Sequence, residues 1–185
     1  MAKTSLNILA LCGSLRARST NRTLLEAAQM LAPSGMILTR IVDGSVVPHF
    51  NADLEASDNE PDEVREWRSL VAGADGLLVS SPEYAAGIPG AFKNALDWLV
   101  GDPRFYQKPV AILRASERSL GAQAALRLVL STMSADIVDE ASITIPLLGK
   151  DVTAKELSAN QAEGAAIVAA LGAFARHILD RRSVP

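Results

Sequence analysis

Short apolar runs bounded by turn residues alternate along this chain with stretches whose apolar residues recur at helical spacing. That alternation restricts it to architectures built from βαβ units. Leu6 to Cys12 is almost continuously apolar, as a parallel strand covered on both faces should be. Thr20 or Asn21 then starts a helix carrying Leu24, Leu25, Ala28 and Leu31, which Pro33-Ser34-Gly35 ends. Met36 to Val42 reads as a second strand, and after a long loop Pro61 opens a helix with Val64, Trp67, Leu70 and Val71 on one side. Gly76 to Ser81 is a third strand, and Pro89-Gly90 introduces a helix whose Phe92, Ala95, Leu96 and Leu99 form one apolar stripe. Val110 to Ala115 gives a fourth strand, followed by a helix near Gln123 to Met133, a fifth strand around Ile137 to Ile145, and a last helix from about Ser158 to Asp180. Right-handed crossovers make this an α/β fold with a doubly wound, five-stranded parallel sheet and helices on both faces. Such sheets bind ligands beyond the carboxyl ends of the strands, where the strand order reverses. The informative loops are therefore those after strands one, three and four.

Composition narrows the function. The 185 residues fit a single domain spanning residues 1–185, with only Asp43 to Glu60 resembling a linker, a solvated connection rich in turn-forming and acidic residues. Eighteen basic and 21 acidic side chains give a net charge of −3, which supplies no global field for attracting nucleic acid. The single cysteine, Cys12, excludes an intramolecular disulfide, and with His49 and His177 far apart no metal cluster is expected. A reducing cytoplasm suits this usage. Two segments imitate membrane signals. Asn7 interrupts the Leu6 to Cys12 run, and Leu11 stands where a cleavage site needs a small residue. Gly164 to Ala175 falls short of the about 20 apolar residues that span a bilayer. Both read as buried core, the second alternatively as a face packed at a subunit interface.

After the first strand comes Gly13-Ser14-Leu15-Arg16-Ala17-Arg18-Ser19-Thr20-Asn21, hydroxyl- and guanidinium-rich at a helix entrance. Outward-pointing N–H groups and the positive end of the helix dipole favour an anion there, and Arg16 adds a charge-assisted bond. Neither GxGxxG nor GxxxxGK[ST] is present, so a phosphate monoester is favoured over a pyrophosphate. A capped helix with solvated arginines would look the same. The third strand ends in Ser81-Pro82-Glu83-Tyr84-Ala85-Ala86-Gly87-Ile88-Pro89-Gly90, a rigid, sharply turned segment able to border a planar heterocycle with backbone and ring.

Together GSLRARSTN at 13–21 and SPEYAAGIPGAFKNALDW at 81–98 resemble the NADPH-dependent FMN reductase family, flavodoxin-like flavoproteins that include quinone, chromate and azo-dye reductases. The resemblance implies a flavodoxin-like sheet in which Ser14, Arg16, Ser19 and Asn21 grip the FMN phosphate while Pro82, Glu83 and Tyr84 line the ribityl chain and ring. Lys93, Asn94, Asp97 and Trp98 match too, and within a helix they are expected to fix it against the sheet or a partner subunit. Two departures stand out. Ala85 and Ala86 replace a larger or polar pair, which opens one wall of the pocket. The loop after the fourth strand, Ser116-Glu117-Arg118-Ser119-Leu120-Gly121-Ala122-Gln123, carries one glycine where relatives carry several, and only Ser116 is retained from it as a flavin contact.

The resemblance implies a cytoplasmic FMN-dependent oxidoreductase that takes hydride from NADPH or NADH and passes electrons to a small acceptor such as a quinone, flavin, azo compound or metal oxyanion. It further implies a homodimer or homotetramer, with no nucleic-acid or membrane partner, in which the flavin performs the chemistry and no side chain is catalytic. A noncatalytic flavodoxin-like electron carrier is the alternative, and a third reading makes FMN a diffusing substrate. Cys12 is expected to be a small inert hydrophobe, His49 a solvated loop residue and Trp67 core.

Overall fold

The structure is a computed structural model that describes residues 5–55 and 60–183. Strand β1 (Leu6–Cys12) is followed by α1 (Thr20–Met30), β2 (Met36–Asp43), α2 (Ala52–Glu55), α3 (Asp62–Gly73), β3 (Gly76–Ser80), α4 (Gly90–Asp97), β4 (Pro109–Arg114), α5 (Leu120–Thr132), β5 (Asp136–Ile137), β6 (Ile143–Thr144), α6 (Ala154–Ala159) and α7 (Gln161–Ser183). The sheet runs β2-β1-β3-β4-β5, with β6 also on β4, and every pairing is parallel. The chain therefore leaves β1 in one direction for β2 and returns past it to β3. The switch point lies between β1 and β3, whose carboxyl ends are tied by Gly13 N–H donating to the Ser80 carbonyl at 2.8 Å.

Strand pleating divides the apolar residues between two cores. Ile8, Ala10 and Cys12 face α1, α6 and α7, while Leu9 and Leu11 face α3, α4 and α5. The outer helices hold the sheet through residues such as Leu24, Leu25 and Phe174 on one side and Trp67, Phe92 and Leu126 on the other.

The expected fifth strand is two strands. After Val138 N–H donates to the Val110 carbonyl, a 3₁₀ turn at Asp139–Ala141 interrupts the ladder, and Ser142 Oγ takes its place by accepting from Ile112 N–H at 3.1 Å. Pairing resumes when Ile145 N–H donates to the Arg114 carbonyl. The sheet thus contains six strands instead of five, with one position shared by two short ones. The expected last helix is likewise divided. Thr153 and Glu156 form a capping box at α6, and Asn160 Oδ1 then caps α7 by accepting from Ala162 and Glu163 N–H. Helix α7, with 23 residues, is long and apolar enough to cross a membrane. Its Ile167, Leu171, Phe174 and Ile178 pack on the sheet, whereas Ala165, Val168 and Ala169 face outward, so only part of the Gly164 to Ala175 segment is core.

The 43–60 connection is more ordered than a solvated loop, apart from residues 56–59, which lie outside the description. Asn94 brackets it, accepting from Phe50 N–H at 2.7 Å and donating to the Pro48 carbonyl, which also receives the Trp98 indole N–H at 2.8 Å. Phe50 meets the Trp98 ring edge-on at 5.0 Å. Lys93 pairs with Asp97 one turn along. Asn94 and Trp98 therefore fasten this connection to α4 through their polar groups, a structural role that differs from the expected one of fixing the helix against the sheet or a partner subunit.

Candidate functional site

At the carboxyl ends of β1, β3 and β4 lies a cleft of about 350 Å³, within the size range of small-molecule and cofactor pockets. Ser14, Arg16, Ser19, Asn21, Pro82, Glu83, Tyr84 and Ser116 all line it, so the structure gathers every residue singled out from the sequence. Thr20, Ala115, Arg118, Ser119 and Leu148 line it as well.

The first wall is the β1–α1 loop. Ser19 is the N-cap of α1, its Oγ accepting from Arg22 N–H, and Ser14 Oγ accepts from Arg16 N–H at 3.3 Å. Each hydroxyl accepts from the backbone and so keeps its own proton for another partner. Asn21 Oδ1 accepts from the buried Ser80 Oγ at 2.9 Å, which leaves the amide's amino end to donate. No acidic residue occupies the first turn of α1, and Arg22, placed unfavourably for the helix dipole, is neutralised by Asp43 at 3.2 Å. Arg16 and Arg118, both lining the cleft, form no ion pair among the described residues. An acid-free helix start facing unspent guanidinium groups is chemically suited to an anion with several oxygens.

The second wall is the β3–α4 loop. It lies against the first without a gap. A Cβ built on Gly13 would come 2.6 Å from Ser81 Cβ and 2.9 Å from its Cα, so glycine is required by the close approach of two loops. Farther along, Tyr84 and Gly87 exchange backbone hydrogen bonds of 3.1 and 3.0 Å around Ala85 and Ala86, whose φ values are 49° and 59°. Two successive positive φ values are the pattern of a type I′ turn, which alanine adopts at a cost. Neighbouring groups hold it. The Glu83 carboxylate accepts from Ala122 N–H of α5 at 2.8 Å, and the Ala86 carbonyl sits where a Cβ on Gly121 would come within 2.6 Å. Tyr84 is thereby presented at the rim, 49% exposed.

This packing adds to one expectation and revises another. Glu83 lines the cleft, and Oε2 of its carboxylate also accepts from the first turn of α5, which gives it a positioning role for the Tyr84 turn. Gly121, expected in the loop after the fourth strand, is the second residue of α5, and its lack of a Cβ accommodates that turn. Helix α5 also starts at Leu120, three residues before Gln123, because its cap comes from Glu83 across the cleft while its own N-cap, Ser119, makes no side-chain capping bond.

Leu148 enters from a fourth direction. The 145–147 segment continues along β4, with Leu147 N–H donating to the Ala115 carbonyl, and this delivers Leu148 to the cleft 62% exposed. No local motif marks it. Arg118 and Ser119 had a signal, their place in the loop after the fourth strand, which the departure from the glycine pattern obscured. Cys12 is fully buried behind the first wall with Sγ against the Ser14 carbonyl, and burial raises its pKa, so at neutral pH it stays a protonated thiol. Trp67 is core, its indole N–H on the Ala95 carbonyl, and His49 is exposed.

The sequence profile described as NADPH-dependent FMN reductase matches residues 6–147. The chain is 38% identical over 118 residues to an NAD(P)H-dependent FMN reductase of Pseudomonas aeruginosa, covering 63% of each chain. It is 35% identical over 122 residues to an NAD(P)H:quinone oxidoreductase of Solanum tuberosum, covering 65% of this chain and 63% of that one. The match thus spans about 63% of the length of these relatives. Among solved structures, the flavoenzyme NAD(P)H:(acceptor) oxidoreductase FerB of Paracoccus denitrificans superposes with a TM-score of 0.69 at 24% identity, over 95% of this chain and 98% of that one.

Proposed function

Because the chain belongs to the NADPH-dependent FMN reductase family, we propose that its cleft holds FMN and that the protein is an NAD(P)H-dependent oxidoreductase delivering electrons to a small acceptor such as a quinone. The observation that carries this reading is the anion-ready first wall: a helix start without acids, hydroxyls with protons to donate, and Arg16, without an ion-pair partner among the described residues, in the same cleft as the aromatic rim. Ser14, Arg16, Ser19 and Asn21 would hold the phosphate, with Thr20 beside them. Pro82, Tyr84 and the 115–119 backbone would border the ribityl chain and ring, and Glu83 would keep Tyr84 in place. FMN bound there supplies two-electron exchange between a reduced nicotinamide and a quinone-type acceptor. The chain's own part is to bind, orient and leave one ring face accessible. The short Ala85 and Ala86 side chains serve the last purpose. No side chain is assigned a covalent or proton-transfer role, and the protonated, buried Cys12 is not suited to one.

Assembly of identical subunits is part of this reading, supported by the outward face of α5, where Leu120 and Leu128 stand 66% and 68% exposed. A cytoplasmic location is proposed from the lone reduced cysteine. Calorimetric titration with FMN and riboflavin tests the flavin assignment. With glycines missing from the β4–α5 loop, the ring gains few main-chain partners, so FMN should bind with measurable dissociation and riboflavin at least about a hundredfold more weakly, equivalent to losing roughly 3 kcal/mol of phosphate interactions. Comparable affinities for both ligands would contradict a phosphate-anchored site.

A further inference from the structure

Beyond the cleft lies a second, larger groove of about 770 Å³ between the start of α1 and the 148–154 loop. Arg16, Ser19, Thr20 and Leu148 line both, so the two spaces are continuous. Its walls carry four basic side chains against Glu26 and Asp151, a positive surplus on a chain whose net charge is −3. Those charges are unequally engaged. Arg22 is paired with Asp43 at 3.2 Å and Lys150 lies 3.6 Å from Glu163, whereas the exposed Arg18 has no ion pair among the described residues. Thr23 adds a hydroxyl one turn along the same helix.

We propose that this groove receives the adenosine end of the electron donor and that Arg18 recognises the 2′-phosphate distinguishing NADPH from NADH. The inference rests on the reading of the cleft as an FMN site served by a reduced nicotinamide nucleotide. A dinucleotide whose nicotinamide lies over the flavin extends well beyond the ring and needs room for the rest of its length. The continuous groove provides that room on the side where a guanidinium remains unspent. A phosphate monoester offers a guanidinium two or three oxygens at once, whereas the corresponding hydroxyl of NADH offers one weak partner. Arg18 therefore discriminates between donors without touching the reacting ring.

The test uses FMN-loaded protein and its Arg18→Ala and Arg18→Lys variants, with anaerobic flavin reduction followed at varied NADPH and NADH, and calorimetric titration with adenosine 2′,5′-bisphosphate, 5′-AMP and inorganic phosphate. The expected result is that Arg18→Ala raises the half-saturating NADPH concentration about five- to twentyfold and that of NADH less than twofold, with Arg18→Lys intermediate and FMN affinity unchanged. Adenosine 2′,5′-bisphosphate should bind more tightly than 5′-AMP or phosphate and lose that advantage in Arg18→Ala. Equal changes for both donors, no change for either, or no preference for the bisphosphate overturns the proposal. If neither donor reduces the flavin while the bisphosphate preference and its loss in Arg18→Ala persist, the oxidoreductase reading fails and the groove assignment stands.

Discussion

Arg16→Ala is expected to weaken FMN binding ten- to hundredfold while leaving riboflavin binding nearly unchanged. A charge-assisted hydrogen bond between guanidinium and phosphate contributes about 1.5 to 3 kcal/mol, which converts to that range in dissociation constant. The side chain is exposed, has no carboxylate partner among the described residues and supports no core residue, so its removal should not disturb folding. Its backbone N–H still donates to Ser14 Oγ in the variant, preserving the loop's conformation. Equal weakening of FMN and riboflavin would mean that Arg16 touches the ring or shapes the loop, and the phosphate assignment would have to move to another group.

Gly13→Ala should damage both stability and the site. The added methyl would overlap Ser81 Oγ and lie 2.6 Å from the Ser81 Cβ and 2.9 Å from its Cα, and the clash with the backbone atom cannot be relieved by a rotamer change. Overpacking of this kind costs about 1 to 3 kcal/mol. Relief requires the two loops to separate, which strains the 2.8 Å hydrogen bond from Gly13 N–H to the Ser80 carbonyl and widens the cleft between its two walls. Urea unfolding should register the loss, and FMN affinity should fall at least about tenfold, equivalent to roughly 1.4 kcal/mol. Pairing the change with Ser81→Gly removes the side-chain clashes but leaves the clash with the backbone of residue 81, so a double-mutant cycle should recover part of each effect. A Gly13→Ala protein with parental stability and parental FMN affinity would show that the loops are not packed as tightly as described.

How much of this could be read from sequence depends on how local the determining interaction is. The Leu6–Cys12 strand and the Phe92-Ala95-Leu96 stripe were legible because one-dimensional hydrophobic patterns encode burial on a sheet. The first two site loops were legible because each is a contiguous segment at a switch point. The start of α5 was not, because its capping group, Glu83, lies 39 residues away across the cleft. Leu148 was not, because its position follows from how the 145–147 segment runs along β4. The division of the fifth strand depended on Ser142 substituting its side chain for a backbone partner, again an interaction made only in three dimensions. Asn160 is the opposite case: the Thr153–Glu156 capping box and the following Asn were readable local signals for two helices instead of one.

Anaerobic mixing of the FMN-reconstituted protein with NADPH is the most direct test of the oxidoreductase account. The flavin absorbance should bleach in a single two-electron phase at a rate within the roughly 1 to 1000 per second usual for enzymes, and adding a quinone should restore it. Bleaching slower than about one per minute, far below that enzymatic range, would contradict the account and favour a flavin-binding electron carrier.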